Sequence, residues 1–463
     1  MLFNSLQFLF FFVIVTGWYY VFPKIRWQLL LVASCYFYMV FQPVYLLILL
    51  FTILVDYVAG IYIEKSSGRR RFSLLCASLV ANIGILAVFK YYPFLFDNVN
   101  SIAAWWGSPN PLPVWSVLLP IGLSFHTFQA MSYTIEVYRG NQRAERHLGI
   151  YALYVLFYPQ LVAGPIERPQ NLLPQFHATQ AFCSNNLKAG LWLMVRGFFK
   201  KVVIADRLAV VVNAVYGDIS QQNGLSLLLA TLFFAFQIYC DFSGYSDIAI
   251  GAAKTMGFKL MTNFNAPYLA HSISDFWKRW HISLSTWFRD YLYLPLGGNR
   301  VNSKMRWYAN LMTVFLVSGL WHGAKWTFVV WGFLHGTFLI IENMAAQYLP
   351  FRVPKPIQYL LTLSAVCGAW VFFRANSLND ALLIFHKISN VSLSNSLQIN
   401  YNNYELAFCF LLIGGLLVCE KYFANQQAYL LHNTLFVPLI TLMFLICYWF
   451  GIFESQQFIY FQF

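Results

Sequence analysis

The stretch SGLWHGAKWTFVVWGFLHG, residues 318–336, places two histidines inside an almost wholly apolar run. Such a run is typical of a helix buried in a membrane or in a helical bundle. An ionisable side chain is costly in hydrocarbon, so it usually faces a cavity or a polar partner. His322 lies between Gly319 and Gly323, which would let another helix or a ligand approach closely. His335 is expected to be a core residue at a close helix contact.

The composition of the whole chain is that of a polytopic membrane protein. Of its 463 residues, 59% are hydrophobic and only 10% are charged, whereas soluble domains carry about 25% charged residues. Apolar runs of membrane-spanning length recur along the sequence. They cover about residues 5–22, 27–42, 44–63, 72–95, 113–135, 225–241, 307–320, 324–345, 357–374, 404–420 and 431–453. We therefore predict an all-α membrane fold with one integral domain over residues 1–463.

The net charge of +13 is explained by membrane topology. Lys24 and Arg26 follow the first apolar run, EKSSGRRR (64–71) follows the third, and VYRGNQRAERH (137–147) follows the fifth. This is the positive-inside pattern of a chain whose N-terminus lies outside. The first run lacks the charged start of a signal peptide and is expected to stay attached. The pattern argues against a nucleic-acid partner.

Several segments are too short, broken or polar for simple crossings. Residues 150–169 are broken by Pro159, Gly164 and Pro165, which favours a re-entrant or half-buried helix. Residues 187–216 carry basic side chains and are predicted to form a helix near the cytosolic interface. DFSGYSD (241–247) places two carboxylates at or near membrane depth.

Residues 274–300 are rich in both Trp and Arg, which excludes a simple lipid-facing span. If they form one continuous helix, Trp277, His281, Leu284 and Phe288 share a face. His281 is therefore the second histidine of interest, in a segment expected to line a polar cavity.

Other chemistry is excluded by missing motifs. The sequence has no GxSxG, no phosphate-binding loop, no GxGxxG and no HExxH. Its eight cysteines are dispersed without a CxxC pair, so we expect reduced thiols and no metal site. Imidazole, with an ordinary pKa of about 6.5, suits proton abstraction near neutrality. His322 is the candidate general base, and His281 a helper in positioning or proton transfer.

Six stretches together resemble the membrane-bound O-acyltransferase family, in particular its bacterial branch of alginate and peptidoglycan O-acetylation. They are LLPIGLSFHTFQAMSYTIEVYRG (118–140), YPQLVAGPIERPQNLLPQF (158–176), QIYCDFSGYSDIAIG (237–251), NFNAPYLAHSISDFWKRWHISLSTWFRDYLYLPLGGNR (263–300), GLWHGAKWTFVVWGFLHG (319–336) and VFFRANSL (371–378). They make residues 118–378 the motif-bearing core. The first hundred residues match the family only in hydropathy.

The resemblance implies a fold, a donor and a partner. The fold is a ring of about 10–12 transmembrane helices, with re-entrant or interfacial helices, around a central thinned channel. His322 aligns with the intramembrane histidine that the family uses in catalysis, and His281 with a second polar position upstream. The donor is a cytosolic thioester, acetyl-CoA above all, with no permanently bound cofactor. The expected partners are an envelope polysaccharide and a periplasmic SGNH-hydrolase-like protein, and the expected location is the bacterial inner membrane.

Polar residues of these motifs are candidates for the acyl path or the donor site. The path candidates are Gln237, Asp241, Ser243, Tyr245, Ser246, Asp247, Trp280, Asn299 and Trp321. For the aspartates, holding a neighbouring Arg or Lys is the stronger interpretation. The candidates for donor phosphates are Lys200, Lys201, Arg279 and Arg289. Positive-inside anchoring explains these four basic residues equally well.

The C-terminal FIYFQF, residues 458–463, resembles the F-x-Y-x-x-F tails of related systems. A phenol ester retains acyl-transfer reactivity because phenolate, with a pKa of about 10, is a good leaving group. Tyr460 is therefore a candidate covalent acyl carrier in a periplasmic tail, residues 454–463. The alternative is an aromatic anchor at the membrane interface.

Two other functions stay open at this point. A polysaccharide or lipid-linked sugar transporter also uses broken helices and intramembrane polar residues, although the chain has no evident internal repeat. A D-alanyl transferase of wall polymers, fed by a carrier-protein thioester, is the rival within enzymes.

Overall fold

The computed structural model describes residues 1–108, 120–162, 164–348, 353–392, 396–398, 401–422, 436–453 and 458–459. Within these residues the regular structure is helical, with no strand, as the sequence predicts. The helices α1 to α20 span, in order, Leu6–Val21, Arg26–Met39, Tyr45–Lys65, Gly68–Leu86, Tyr92–Trp105, Leu123–Arg139, Leu148–Leu156, Tyr158–Leu161, Pro169–His177, Ser184–Phe198, Asp206–Gly217, Gly224–Thr255, Ile273–Arg279, Ile282–Phe288, Lys304–His322, Trp326–Tyr348, Lys355–Arg374, Leu378–Ser389, Asn403–Tyr422 and Phe436–Phe450. Three π-helical segments, Ala87–Tyr91, Phe199–Ala205 and Arg289–Tyr293, continue α4, α10 and α14.

Six helices of the described chain are long and apolar enough to cross a membrane. They are Tyr45–Lys65, Gly68–Trp105, Gly224–Thr255, Trp326–Tyr348, Lys355–Arg374 and Asn403–Tyr422. Helices α1 and α2 pass the same test only as a pair, bent by 107° at the break that holds Pro23. The predicted total of 10–12 spans stays a prediction.

The chain divides into two compact units. Unit one comprises Met1–Leu191 and Ile248–Met261, and unit two comprises Trp192–Asp247 and Thr262–Phe463. The single integral domain inferred from the sequence stays a prediction.

Unit one has a polar cluster between α3, α4 and α6. Ser78 Oγ and Asn82 Nδ2 donate to Asp56 Oδ1 over 2.6 and 2.9 Å. His126 Nε2 lies 2.6 Å from Thr52 Oγ1. These buried polar side chains in apolar helices therefore bond to one another.

The predicted apolar run 113–135 and the predicted broken segment 150–169 both belong to unit one. The predicted run 113–135 corresponds to α6, which begins only at Leu123, and residues 109–119 lie outside the described chain. The segment 150–169 is broken, as expected, into α7 and α8, and residues 164–168 before α9 are nonhelical.

In unit two, α15 and α16 pack against each other through glycines. A Cβ atom on Gly319 would lie 2.3 Å from the Phe328 carbonyl oxygen, and one on Gly332 would lie 2.3 Å from the Phe315 carbonyl oxygen. Only glycine permits so close an approach of two backbones. Gly319 thus allows the close approach of a neighbouring helix, which is one of the two possibilities, a helix or a ligand, that the sequence left open.

Helix α12, 32 residues long, is the other main element of the site. It continues through DFSGYSD without a break, although the apolar run ends at residue 241. Gly244 lets it approach α10 closely, since a Cβ atom there would lie 2.7 Å from the Gly197 carbonyl oxygen. The carboxylates of the motif are therefore held inside the bundle.

The continuous helix expected over 274–300 is wrong. Helix α13 ends at Arg279 and α14 begins at Ile282, because His281 has left-handed backbone angles, with φ at 42°. Trp277, His281, Leu284 and Phe288 therefore do not share one helix face.

Candidate active site

His322 is the last residue of α15 and only 4% exposed. Its ring is surrounded by aromatic side chains. The ring centroids of Trp321, Trp331 and Phe373 lie 4.9, 5.0 and 5.6 Å from that of His322, in edge-on arrangements. The imidazole is thus buried among aromatic rings, where electrostatic interactions are stronger than in water.

His281 is fully buried in the break between α13 and α14. Its ring meets the ring of Phe242, on α12, edge-on at 4.7 Å and that of Trp321 at 6.3 Å. Since Trp321 also contacts His322, the two predicted catalytic histidines belong to one aromatic cluster. They are brought together through a residue that the sequence assigns to the acyl path.

Asn263 fixes the position of His281. Asn263 Oδ1 lies 3.2 Å from His281 Nδ1 and accepts hydrogen bonds from Ser283 Oγ at 2.8 Å and the Ser283 amide at 3.3 Å. Its Nδ2 donates to Ser246 Oγ, on α12, over 3.2 Å, and its carbonyl accepts the Ile282 amide at 2.9 Å. One asparagine thus caps α14 and ties it to α12. Sequence analysis missed this role, and the only signal was its place at the head of the NFN motif.

The two aspartates of DFSGYSD hold basic side chains, as the stronger interpretation expects. Asp247 Oδ2 lies 3.1 Å from both Arg196 and Lys200. Asp241 Oδ1 lies 2.6 Å from Lys201 Nζ, which also reaches Asp206 at 2.7 Å. Buried charges require such pairing.

Lys200 and Lys201 were candidates for binding the phosphates of the donor, but the structure pairs both with carboxylates. Both are buried, and their charges neutralise carboxylates inside unit two. Their contacts therefore lend no support to direct phosphate binding. Arg279 and Arg289 pair with Asp275 and Asp290 and remain partly exposed, so their donor role stays a prediction.

The remaining path candidates are distributed unevenly. Gln237, Ser243, Tyr245 and Ser246 are buried on α12. Trp280 is buried in an aromatic core against Phe276 and Trp370, at 5.5 and 5.1 Å between ring centroids. Asn299 is exposed in the turn that precedes α15, so it does not join the buried cluster.

Two residues of the C-terminal segment, Phe458 and Ile459, lie in the same region. Phe458 and Ile459 are 1% and 4% exposed. The ring of Phe458 lies 4.5 Å from that of Tyr245 and 5.8 Å from that of Phe242. Tyr460, the candidate acyl carrier, lies outside the described residues.

Comparison with known proteins links this arrangement to acyl transfer. A family model described as membrane-bound O-acyltransferase family matches residues 141–383. The probable alginate O-acetylase AlgI of Pseudomonas aeruginosa is 38% identical over 92% of this chain and 83% of its own length. The peptidoglycan O-acetyltransferase of Helicobacter pylori is 38% identical over 78% of this chain and 73% of its own length. A teichoic acid D-alanyltransferase of Bacillus subtilis is 27% identical over 65% of this chain and 77% of its own length.

Proposed function

Because this chain belongs to the membrane-bound O-acyltransferase family, it is a multi-pass membrane O-acyltransferase, and we propose that it transfers acetyl groups to a cell-envelope polysaccharide. The observation that carries the site assignment is the burial of His322 in one aromatic cluster with His281. The acceptor is peptidoglycan or an alginate-like polymer, in keeping with the names of the relatives at 38% identity. The family's enzymatic character sets aside the transporter alternative.

His322 acts as the general base. In the first step it takes the phenol proton of Tyr460, and the phenolate oxygen attacks the thioester carbonyl carbon. The carbon–sulfur bond breaks, and the imidazolium returns its proton to the departing thiolate. The products are the acetyl ester of Tyr460 and a free thiol, so atoms and charges balance.

The second step uses the tyrosyl ester as the donor. A hydroxyl group of the periplasmic partner attacks its carbonyl carbon, the bond to the Tyr460 oxygen breaks, and the departing phenolate takes the proton that the hydroxyl gives up. Phe458 and Ile459 are buried beside α12, which supports a position of these two residues close to the candidate site. A periplasmic SGNH-hydrolase-like partner then delivers the acetyl group to the polymer.

The donor is a cytosolic thioester, and acetyl-CoA is the first choice. Its phosphates are too polar to cross the membrane, whereas an acetyl group is small and uncharged. In this proposal the protein lies in the bacterial inner membrane with its N-terminus outside, which puts the basic segments on the donor side.

D-alanyl transfer is the second candidate, and the similarity to teichoic acid D-alanyltransferases favours it. That similarity is weaker, at 27–30% identity, and covers less of the chain than the similarity to the O-acetyltransferases. Acetyl transfer is therefore preferred.

The test is transfer of radiolabel from acetyl-CoA to the purified protein and to added envelope glycan. Wild type is compared with His322→Ala and Tyr460→Phe. Label on the wild-type protein that is lost in both variants supports the base and the carrier. Label that survives in Tyr460→Phe but not in His322→Ala retains the enzyme and rejects the carrier. No label on wild-type protein or glycan contradicts acetyl-CoA as donor.

A further inference from the structure

The backbone of the tail is bound by a side chain of α12. The Ile459 amide donates a hydrogen bond of 2.8 Å to Asp241 Oδ2, and both residues are buried. An N–H group bonded to a carboxylate makes a stronger contact than one bonded to a neutral acceptor. This bond involves no side-chain atom of Ile459. It therefore fixes the position of the backbone and does not depend on which side chain residue 459 carries, proline excepted.

Asp241 is itself held in place. Lys201 Nζ lies 2.6 Å from Asp241 Oδ1, the oxygen that does not bind the tail, and 2.7 Å from Asp206 Oδ1. The three side chains are buried. Because a buried charge cannot give up its partner cheaply, the carboxylate of Asp241 is fixed, and so is the oxygen that receives Ile459.

Two further contacts restrain the chain that leads to the tail. The Ile452 amide donates to the Val202 carbonyl over 2.9 Å, and Arg207 Nη2 donates to the Phe450 carbonyl over 2.8 Å. The segment that carries Lys201 thus also binds the end of α20. Phe450 and Ile452, at and just after the end of α20, are therefore held by hydrogen bonds.

The aromatic side chain before Ile459 connects the tail with the histidine cluster. Phe458 packs against Tyr245 and Phe242, and Phe242 contacts His281 edge-on. Polar and apolar contacts therefore fix two consecutive tail residues beside the same stretch of α12.

We propose that Asp241, held by Lys201, is a positioning residue that sets the register of the C-terminal tail. Its bond to the Ile459 amide holds the residue directly before Tyr460, the proposed acyl carrier. A slip of one residue would give that place in the sequence, relative to Asp241, to Ile459 or Phe461, and neither has a hydroxyl group that could carry the acyl group. This inference rests on the proposed function, because it assigns a purpose to the bond only if Tyr460 carries the acyl group.

The bond is tested from both sides in the full-length protein. Asp241→Ala removes the acceptor of the bond. Ile459→Pro removes the donor and leaves the buried charges intact. If one of these variants does not fold, the other still tests the bond. Ile459→Ala, which retains the amide, is the matched control for proline. Asp247→Ala removes another buried carboxylate of α12, one that binds Arg196 and Lys200.

The first readout is hydrogen exchange of the C-terminal peptide by mass spectrometry, which requires no activity. We expect exchange at least about tenfold faster in Asp241→Ala and Ile459→Pro, as loss of a charge-assisted hydrogen bond predicts. In both controls the tail should exchange as in wild type. Unchanged exchange in Asp241→Ala and Ile459→Pro would overturn the proposal.

The second readout is acetyl loading of Tyr460, measured by intact mass after incubation with acetyl-CoA. Loading at least tenfold slower in the same two variants, but not in Ile459→Ala, supports the positioning role. Faster exchange with wild-type loading contradicts that role. If wild type takes up no acetyl group while its tail is protected, the proposed carrier fails, and with it the positioning role.

Discussion

At the scale of single residues, His322 combines burial among aromatic rings with a position at the end of a helix. The carbonyl groups of the last turn of α15 carry partial negative charge, which stabilises an imidazolium formed on proton abstraction. The rings of Trp321, Trp331 and Phe373 border the imidazole. This environment gives the base a defined position and its conjugate acid a favourable field.

We expect His322→Ala to lower acetyl transfer about 10²–10⁴-fold, the usual contribution of a general base. The measurement is the initial rate at which label from acetyl-CoA appears on the protein, per mole of folded protein. His126→Gln is the matched control, because it alters a buried histidine of unit one that bonds Thr52. A rate in His322→Ala within a few-fold of wild type would contradict the role.

Asn263→Ala should lower the transfer rate roughly 10²-fold, since a displaced catalytic group loses about that much. The substitution removes the bonds to His281, Ser283 and Ser246, so stability should also fall, by about 1–3 kcal/mol. Asn310→Ala separates the two effects. Asn310 is equally buried and donates to the carbonyls of Leu296 and Gly298.

Thermal unfolding in detergent and label transfer are measured for both asparagine variants. The expected pattern is a similar loss of stability but a loss of rate only in Asn263→Ala. Equal rates in the two folded variants would show that Asn263 supports the fold alone.

At the scale of helices, the close contact between α15 and α16 fixes the end of α15, and with it the position of His322. Gly319→Ala would force a Cβ atom to within 2.3 Å of the Phe328 carbonyl. We expect a loss of about 1–3 kcal/mol, typical of overpacking, seen as a lower unfolding temperature. Gly414→Ala in α19 is the control, because a Cβ atom there meets nothing within 4 Å. An unfolding temperature unchanged in Gly319→Ala would contradict the contact.

The sequence predicts helices well where hydrophobicity alone decides, and poorly where one side chain redirects the backbone. The apolar runs about 44–63 and 357–374 match α3 and α17 to within a few residues. The break at His281 was not predicted, because it depends on Asn263, a residue 18 positions earlier that supplies the cap. Likewise, the partner of Lys201 is visible only after α12 has brought Asp241 next to it.

The candidate site follows the same division. His322, His281 and Trp321 were identified from motifs, and the structure brings them into one cluster. Asn299, from the same motif as His281, lies at the surface. A motif records which residues occur together in the chain but not which side chains converge.

At the scale of the whole molecule, the distribution of basic residues makes a prediction about topology. Gln42 and Ser67 are exposed positions that flank α3, and the positive-inside bias puts EKSSGRRR in the cytosol. In a background with Cys183 and Cys419 changed to serine, a membrane-impermeant thiol reagent should label Gln42→Cys in intact cells. Ser67→Cys should react only after permeabilisation. The reverse pattern would place EKSSGRRR outside and contradict the direction proposed for the acetyl group.

The left-handed backbone at His281 has a consequence for how this residue can be studied. A side chain with a Cβ atom costs roughly 1–2 kcal/mol in that conformation, and asparagine bears it more readily than most. Alanine at 281 therefore keeps the backbone strain while it removes the ring that Asn263 contacts, so its phenotype mixes folding with chemistry. Glycine removes both the strain and the ring, and asparagine offers a polar group of similar reach on the same backbone. Comparing His281→Ala, His281→Gly and His281→Asn, in place of the customary single alanine, separates the chemical role of the imidazole from the conformational energy of the backbone at residue 281.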